Sequence, residues 1–123
     1  MDPRTALILV VDDDARSART LANMLREDGW DVDVAIDGAS AIARLTRKPM
    51  PSVLVTDLRL PNADGIAVST FARSRDAEIP IIVVTGYPHL ADRTLSPKPI
   101  VLTKPILYDD LSAALARVGV RSS

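Results

Sequence analysis

The sequence has no cysteine, one histidine, two glutamates and four aromatic residues among its 123. Without cysteine there is no disulfide scaffold, no thiolate zinc site, no iron–sulfur cluster and no cysteine nucleophile. An excess of either charge is missing too: 15 Lys and Arg face 16 Asp and Glu, for a net charge of −1. That balance, with no long basic run, argues against a nucleic-acid or anionic-membrane surface. The longest apolar run, Ala6 to Val11, is far too short to cross a bilayer, and no basic segment of a signal peptide precedes it. The expected location is the cytoplasm. At 47% apolar residues the chain is too hydrophobic for disorder. Its length suits one domain that buries roughly two-thirds of its unfolded surface without staples.

What the chain has in excess is aspartate. Of the 16 acids, 14 are Asp, and only Glu27 and Glu78 are Glu. Asp is the short acid, favoured at helix caps, turns and metal sites.

Hydrophobic patterning gives the organisation. Ala6 to Val11 is an aliphatic run without alternation, which reads as a strand buried on both faces of a parallel sheet. It stops at Asp12, Asp13 and Asp14. Ala18, Leu21, Ala22 and Leu25 follow at helical spacing, with Asp14 as the N-cap and Gly29 just past the end. Trp30 to Ala35 alternates Val32 and Val34 against Asp31 and Asp33, as a strand near a sheet edge does. Asp37 caps a helix carrying Ile42 and Leu45, before Pro49 and Pro51. Ser52 to Thr56 is a third strand, ending in Asp57; Asp64 caps a helix bearing Ile66, Phe71 and Ala72. Ile81 to Val84 and Ile100 to Leu102 are the last two strands, and Leu111, Ala114, Leu115 and Val118 mark a final helix, with Asp109 a candidate start. Strands alternating with helices predict an α/β fold of right-handed crossovers. Three prolines between Thr85 and Ile100 leave room for about two helical turns, so the fourth helix should be short or absent. No second domain fits, and Met1 so near the first strand suggests a natural start.

In open α/β sheets, sites form beyond the carboxyl ends of the strands. Those ends deliver Asp12 and Asp13 from strand one, Asp57 from strand three, Thr85 from strand four and Lys104 from strand five. Three converging carboxylates repel, and a hard divalent cation such as Mg²⁺ relieves this. A lysine and a hydroxyl beside them suit a phosphoryl ligand, and a carboxylate can itself be the nucleophile that forms an aspartyl phosphate. Each residue alone has a plainer reading. Asp57 alone could end a strand in an Asx-turn, and Lys104 alone could be a surface lysine. His89, in a proline-flanked loop, reads as an exposed loop residue, and Trp30 as edge packing. The 12 arginines read mostly as solvated helix faces, with Arg59 the exception that leans over the rim.

Val10-Val11-Asp12-Asp13-Asp14, Asp57 through Pro61 to Gly65, Val83-Val84-Thr85-Gly86 and Leu102-Thr103-Lys104-Pro105 together resemble the four motifs of receiver domains of two-component response regulators. The resemblance covers nearly the whole chain, residues 1–123 as a single receiver. It implies the flavodoxin-like doubly wound five-stranded parallel sheet, order 2-1-3-4-5. It implies that Asp57 is the phosphoacceptor, supplied by a sensor histidine kinase or a histidine phosphotransfer protein. Asp12, Asp13 and Asp57 with the backbone carbonyl of Arg59 would hold Mg²⁺. Thr85 and Lys104 would bind the phosphoryl group, and Pro105 would follow a cis peptide. The output would pass to a downstream protein partner, with no nucleic acid or membrane involved; a homodimer is compatible with this reading.

Two positions depart from the family. The switch aromatic that usually lies three residues before the Lys is Val101, and the fourth helix is shortened. Tyr87, two residues after Thr85, is the candidate substitute in the switch. Arg59 and Tyr87 would also flank the line of attack and slow hydrolysis of the acyl phosphate. The chain reads as a switch and not an enzyme. One alternative is a Mg²⁺-dependent phosphatase, but such enzymes usually carry an acid two positions after the nucleophile, where this chain has Arg59. A flavin carrier would meet three acids where its phosphate loop belongs, and a phosphate-independent pseudo-receiver leaves the complete rim unexplained.

Overall fold

The five β segments are aliphatic and β-branched, and in the computed structural model, which describes residues 6–91 and 95–119, they form one parallel sheet. The strands are β1 (Leu7–Val11), β2 (Asp31–Ala35), β3 (Val53–Asp57), β4 (Ile81–Thr85) and β5 (Ile100–Thr103), in the order β2-β1-β3-β4-β5. The helices are α1 (Ala15–Glu27), α2 (Gly38–Leu45), α3 (Gly65–Arg75) and α4 (Tyr108–Arg117). The flavodoxin-like order expected from the sequence is the one found.

Because side chains alternate across a strand, each central strand feeds two cores. On one face Ile8, Val10, Val55, Ile82 and Val84 pack against Ala18, Ala22 and Leu25 of α1 and Leu111, Ala114 and Leu115 of α4. On the other, Leu9, Val11, Leu54, Ile81 and Val83 meet Ala41 and Leu45 of α2 and Val68 and Ala72 of α3. β3 and β4 are buried along their whole length, which explains their lack of alternation. Each fully buried Leu or Ile contributes about 1.5–3 kcal/mol from burial alone.

Aspartates start three of the four helices. Asp14 accepts from the Arg16 and Ser17 amides, Asp37 from Ser40 and Asp64 from Ala67. α4 differs from expectation: its N-cap is Leu107, with Asp109 and Asp110 in the first turn, where they still face the positive end of the helix. Gly29 follows α1 with φ 94°, a left-handed conformation that glycine adopts without strain.

Edge strand β2 departs from simple alternation. Val32 is buried, but Val34 is 40% exposed. Trp30 is buried in the core beneath α1. Arg44 is one arginine that does not fit a solvated helix face. It is buried, with its Nε 2.7 Å from Asp33 Oδ2 and its other nitrogens on the carbonyls of Arg47 and Pro49. It ties the end of α2 to β2.

Where a fourth helix would stand, the described residues hold a single 3₁₀ turn, Pro88–Leu90. The turn is followed by Leu95, which packs onto the α3 side of the core. The Tyr108 hydroxyl donates to Asp28 Oδ2 at 2.6 Å and fastens the start of α4 to the end of α1. No helix among the described residues is long and apolar enough to cross a membrane.

Candidate functional site

The carboxyl ends of β1, β3, β4 and β5 bring the expected residues to one rim. Asp57 is the last residue of β3, and its side chain is 7% exposed, held under the rim by strands on both sides. Asp12 follows β1 and is half-buried, with its Oδ1 accepting from the Asp14 amide at 2.9 Å; Asp13 is exposed beside it. One carboxylate oxygen from each of Asp12, Asp13 and Asp57 lies within 4.8 Å of the others. Lys104 reaches from the end of β5 to place its Nζ 3.0 Å from Asp57 Oδ2, across a Lys104–Pro105 peptide that is cis as expected.

This crowding governs protonation. Burial pushes the Asp57 carboxyl up to about 7; the Asp12 carboxylate adds to the rise and the Lys104 ammonium opposes it. For Lys104, burial of the stem works against the charge. Contact with Asp57 and the nearby charges of Asp12 and Asp13 outweigh it and raise the ammonium pKa.

The donor set fits a hard cation. An octahedral Mg²⁺ with oxygens at about 2.1 Å separates neighbouring ligands by roughly 3 Å and opposite ones by roughly 4 Å. Three carboxylate oxygens within 4.8 Å of one another are close enough to converge on one such ion. All are carboxylate oxygens, the hard donors such a cation takes.

Thr85 ends β4 and is buried; its hydroxyl accepts from the Tyr87 amide at 2.9 Å and keeps its own proton as a donor. Its carbonyl accepts from the Lys104 amide at 2.9 Å, which aligns the ends of β4 and β5. Tyr87 is 49% exposed, with the Arg59 guanidinium 4.5 Å from its ring centroid. The side chains of the loops after β3 and β4 therefore meet over the rim in a cation–π contact. Val101 is half-buried on β5 and pairs with Val83 of β4. His89 is exposed, its ring 6.4 Å from that of Tyr87.

Sequence reasoning passed over residues that shape the rim. Ser17, Leu21 and Ile106 line the cleft above Asp57, with Ser17 Oγ bonded to Asp14. Two glycines allow backbone to approach backbone. A Cβ at Gly65 would collide with the Asp57 carbonyl oxygen and come within 2.9 Å of Leu58 Cα. A Cβ at Gly38 would collide with the Ala63 carbonyl. Gly65 lies in the acceptor-loop motif; for Gly38 the signal was a glycine at the first position of a capped helix.

The profile described as the response regulator receiver domain matches residues 8–116. The chain belongs to that family. This receiver is 35% identical over 119 residues to the transcriptional regulatory protein TrcR of Mycobacterium tuberculosis, covering 94% of this chain and 46% of TrcR. It thus spans about half the length of that curated relative. Among solved structures it resembles a response regulator receiver protein from Sinorhizobium medicae, at TM-score 0.81 and 26% identity over 94% of each chain. The same fold is seen in TrrA of Thermotoga maritima, crystallised with Mg²⁺ and BeF, at TM-score 0.80 and 24% identity over 92% of this receiver and 98% of that chain. Receiver domains act mainly as switches, bind Mg²⁺ at an acidic pocket and interact with histidine kinases or phosphotransfer partners.

Proposed function

We propose that this receiver, taking residues 1–123 as one unit, accepts a phosphoryl group on Asp57 from the phosphohistidine of a sensor kinase or phosphotransfer protein. The observation that carries this is the buried Asp57 carboxylate, bonded to Lys104 and within 4.8 Å of two further acids. An Asp57 oxygen attacks phosphorus in line; a P–O bond forms as the P–N bond breaks, and the imidazole leaves and takes up a proton. Asp12, Asp13, Asp57 and the Arg59 carbonyl would hold Mg²⁺, which supplies neutralisation of phosphoryl charge. The Lys104 ammonium pairs with a phosphoryl oxygen, and the Thr85 hydroxyl donates to another.

Taking that bond draws the Thr85 oxygen away from the Tyr87 amide, which loosens the loop after β4. Tyr87 then does the work of the aromatic absent at Val101, and a downstream protein partner reads the surface it leaves. A homodimer is one form that partner can take. The surface acts without nucleic acid, in the cytoplasm. The phosphatase alternative lacks its general acid: the side chain at that position is Arg59, stacked on Tyr87.

The test is incorporation of phosphate from a small acyl phosphate with Mg²⁺, in wild type and Asp57→Asn. Stoichiometric, Mg²⁺-dependent labelling of wild type alone is expected; labelling that survives in the variant defeats the reading. Arg59 and Tyr87 cover the approach of water, so Arg59→Ala and Tyr87→Ala should each lose phosphate faster than wild type in a pulse-chase.

A further inference from the structure

The loop after β3, residues 58–64, is pinned at its base. Leu58 donates to the Val84 carbonyl at 3.3 Å and accepts from the Gly65 amide at 2.7 Å. Its tip is held by a different element. The Gly38 amide, at the start of α2, donates to the Pro61 carbonyl at 2.9 Å. Asn62 and Ala63 have φ of 55° and 91°. Asn tolerates that region; an exposed alanine does not settle there by itself and must be held.

The Gly38 amide bond to Pro61 holds the tip, and the bare Cα of Gly38 leaves it the room. A Cβ there would strike the Ala63 carbonyl oxygen and stand 2.6 Å from both Ala63 C and Asn62 O, all backbone atoms that no rotamer change can move. α2 is the stiffer partner, because Ala41 and Leu45 are fully buried, whereas residues 61–64 are exposed. Crowding at position 38 therefore moves the loop. Arg59 lies two residues before Pro61, whereas Asp57 stays within β3, fixed by ladder bonds and Lys104.

We propose that Gly38 is a positioning residue for the acceptor loop: its lack of a side chain sets the place of the Arg59 carbonyl and, through it, affinity for the divalent cation. This rests on the reading of the site as a Mg²⁺-dependent phosphoacceptor. It separates two quantities. Displacing the loop weakens cation binding, whereas the carboxylate that receives the phosphoryl group is untouched.

The experiment compares wild type, Gly38→Ala, Ala41→Gly and Gly38→Ala/Ala63→Gly by Mg²⁺ titration calorimetry, acyl phosphate labelling across Mg²⁺ concentrations, and urea unfolding. Gly38→Ala should raise the Mg²⁺ Kd about tenfold, as loss of an orienting contact around a metal does. Its labelling rate at saturating Mg²⁺ should stay within about twofold of wild type. Ala41→Gly loosens the same helix without touching the loop, so it should lower the urea midpoint and leave the Kd unchanged. In the double variant, glycine at 63 lets the loop yield, which restores the midpoint but not the affinity. A wild-type Kd in Gly38→Ala, or in the double variant should the single one fail to fold, overturns the proposal. So does an equal loss of affinity in Ala41→Gly. Wild-type protein that binds no Mg²⁺ and takes no phosphate overturns the functional reading itself, and the two failures are told apart by that control.

Discussion

The loops that follow β3 and β4 both carry site residues, yet they are built in opposite ways. The loop after β3 is packed until backbone touches backbone, between Gly65 behind Asp57 and Gly38 of the neighbouring helix. The loop after β4 begins at Gly86, where an added Cβ would meet nothing within 4 Å, and continues through the exposed Tyr87 and Leu90. Its first turn carries a bond to the Thr85 hydroxyl, the pair that closes the 3₁₀ turn and the stacking of Arg59 on Tyr87. A receiver needs a fixed place for chemistry and a part that responds to it, and here the two are divided between adjacent loops. The tight loop follows Asp57, the proposed acceptor, and the open one leaves from the Thr85 hydroxyl that would sense it.

Matched glycine substitutions test the contrast hardest. Gly65→Ala forces a methyl group into the Asp57 carbonyl and should cost about 3 kcal/mol or more, read from the urea midpoint, with loss of phosphate labelling. A near-wild-type midpoint would mean the tight loop has slack. Asp57→Asn acts in the other direction. It removes a charge that burial and Asp12 disfavour, so without Mg²⁺ it should stabilise the fold by roughly 2 kcal/mol while abolishing labelling. An unchanged midpoint would mean that Lys104 already offsets the repulsion.

Smaller effects come from the caps. The Asp14 carboxyl lies below its usual value because the Ser17 hydroxyl and amide bond to it, and that of Asp37 because the Ser40 amide does. A lowered carboxyl pKa stabilises the fold above the ordinary value of 3.8, and the gain is lost as pH falls through the folded-state value. Asp14→Ala should therefore lower Tm at neutral pH, with the gap to wild type closing below pH 3.8. The smallest effect belongs to Gly86→Ala, expected within about 0.5 kcal/mol of wild type. A large loss there would show the open loop to be constrained after all.

The sheet was legible because its strands are short, aliphatic and bounded by acids or prolines, and three caps because Asp precedes each apolar period. The rim was legible from strand ends alone, since topology brings Asp12, Asp57, Thr85 and Lys104 together whatever the loops do. What escaped depends on distance in space. Arg44 looks like any helix arginine until Asp33 of β2, eleven residues earlier, is seen beside it. Gly38 looks like a helix-start glycine until Ala63 is seen to fill the space where its side chain would be. Val34 followed the alternating pattern and is exposed, because alternation records the face of a strand and not what covers that face.

The three aspartate caps have an electrical consequence for the rim. α1, α2 and α3 each follow a strand and so begin on the carboxyl-end side of the sheet, the side that carries the acidic cluster. Left bare, their positive ends would lower the negative potential that draws in a cation. Asp14, Asp37 and Asp64 each turn a carboxylate onto their own helix and cancel its end locally. The acidic cluster of Asp12, Asp13 and Asp57 is then opposed at close range by Lys104 rather than by the helix ends, in a molecule whose net charge of −1 would suggest almost no field at all.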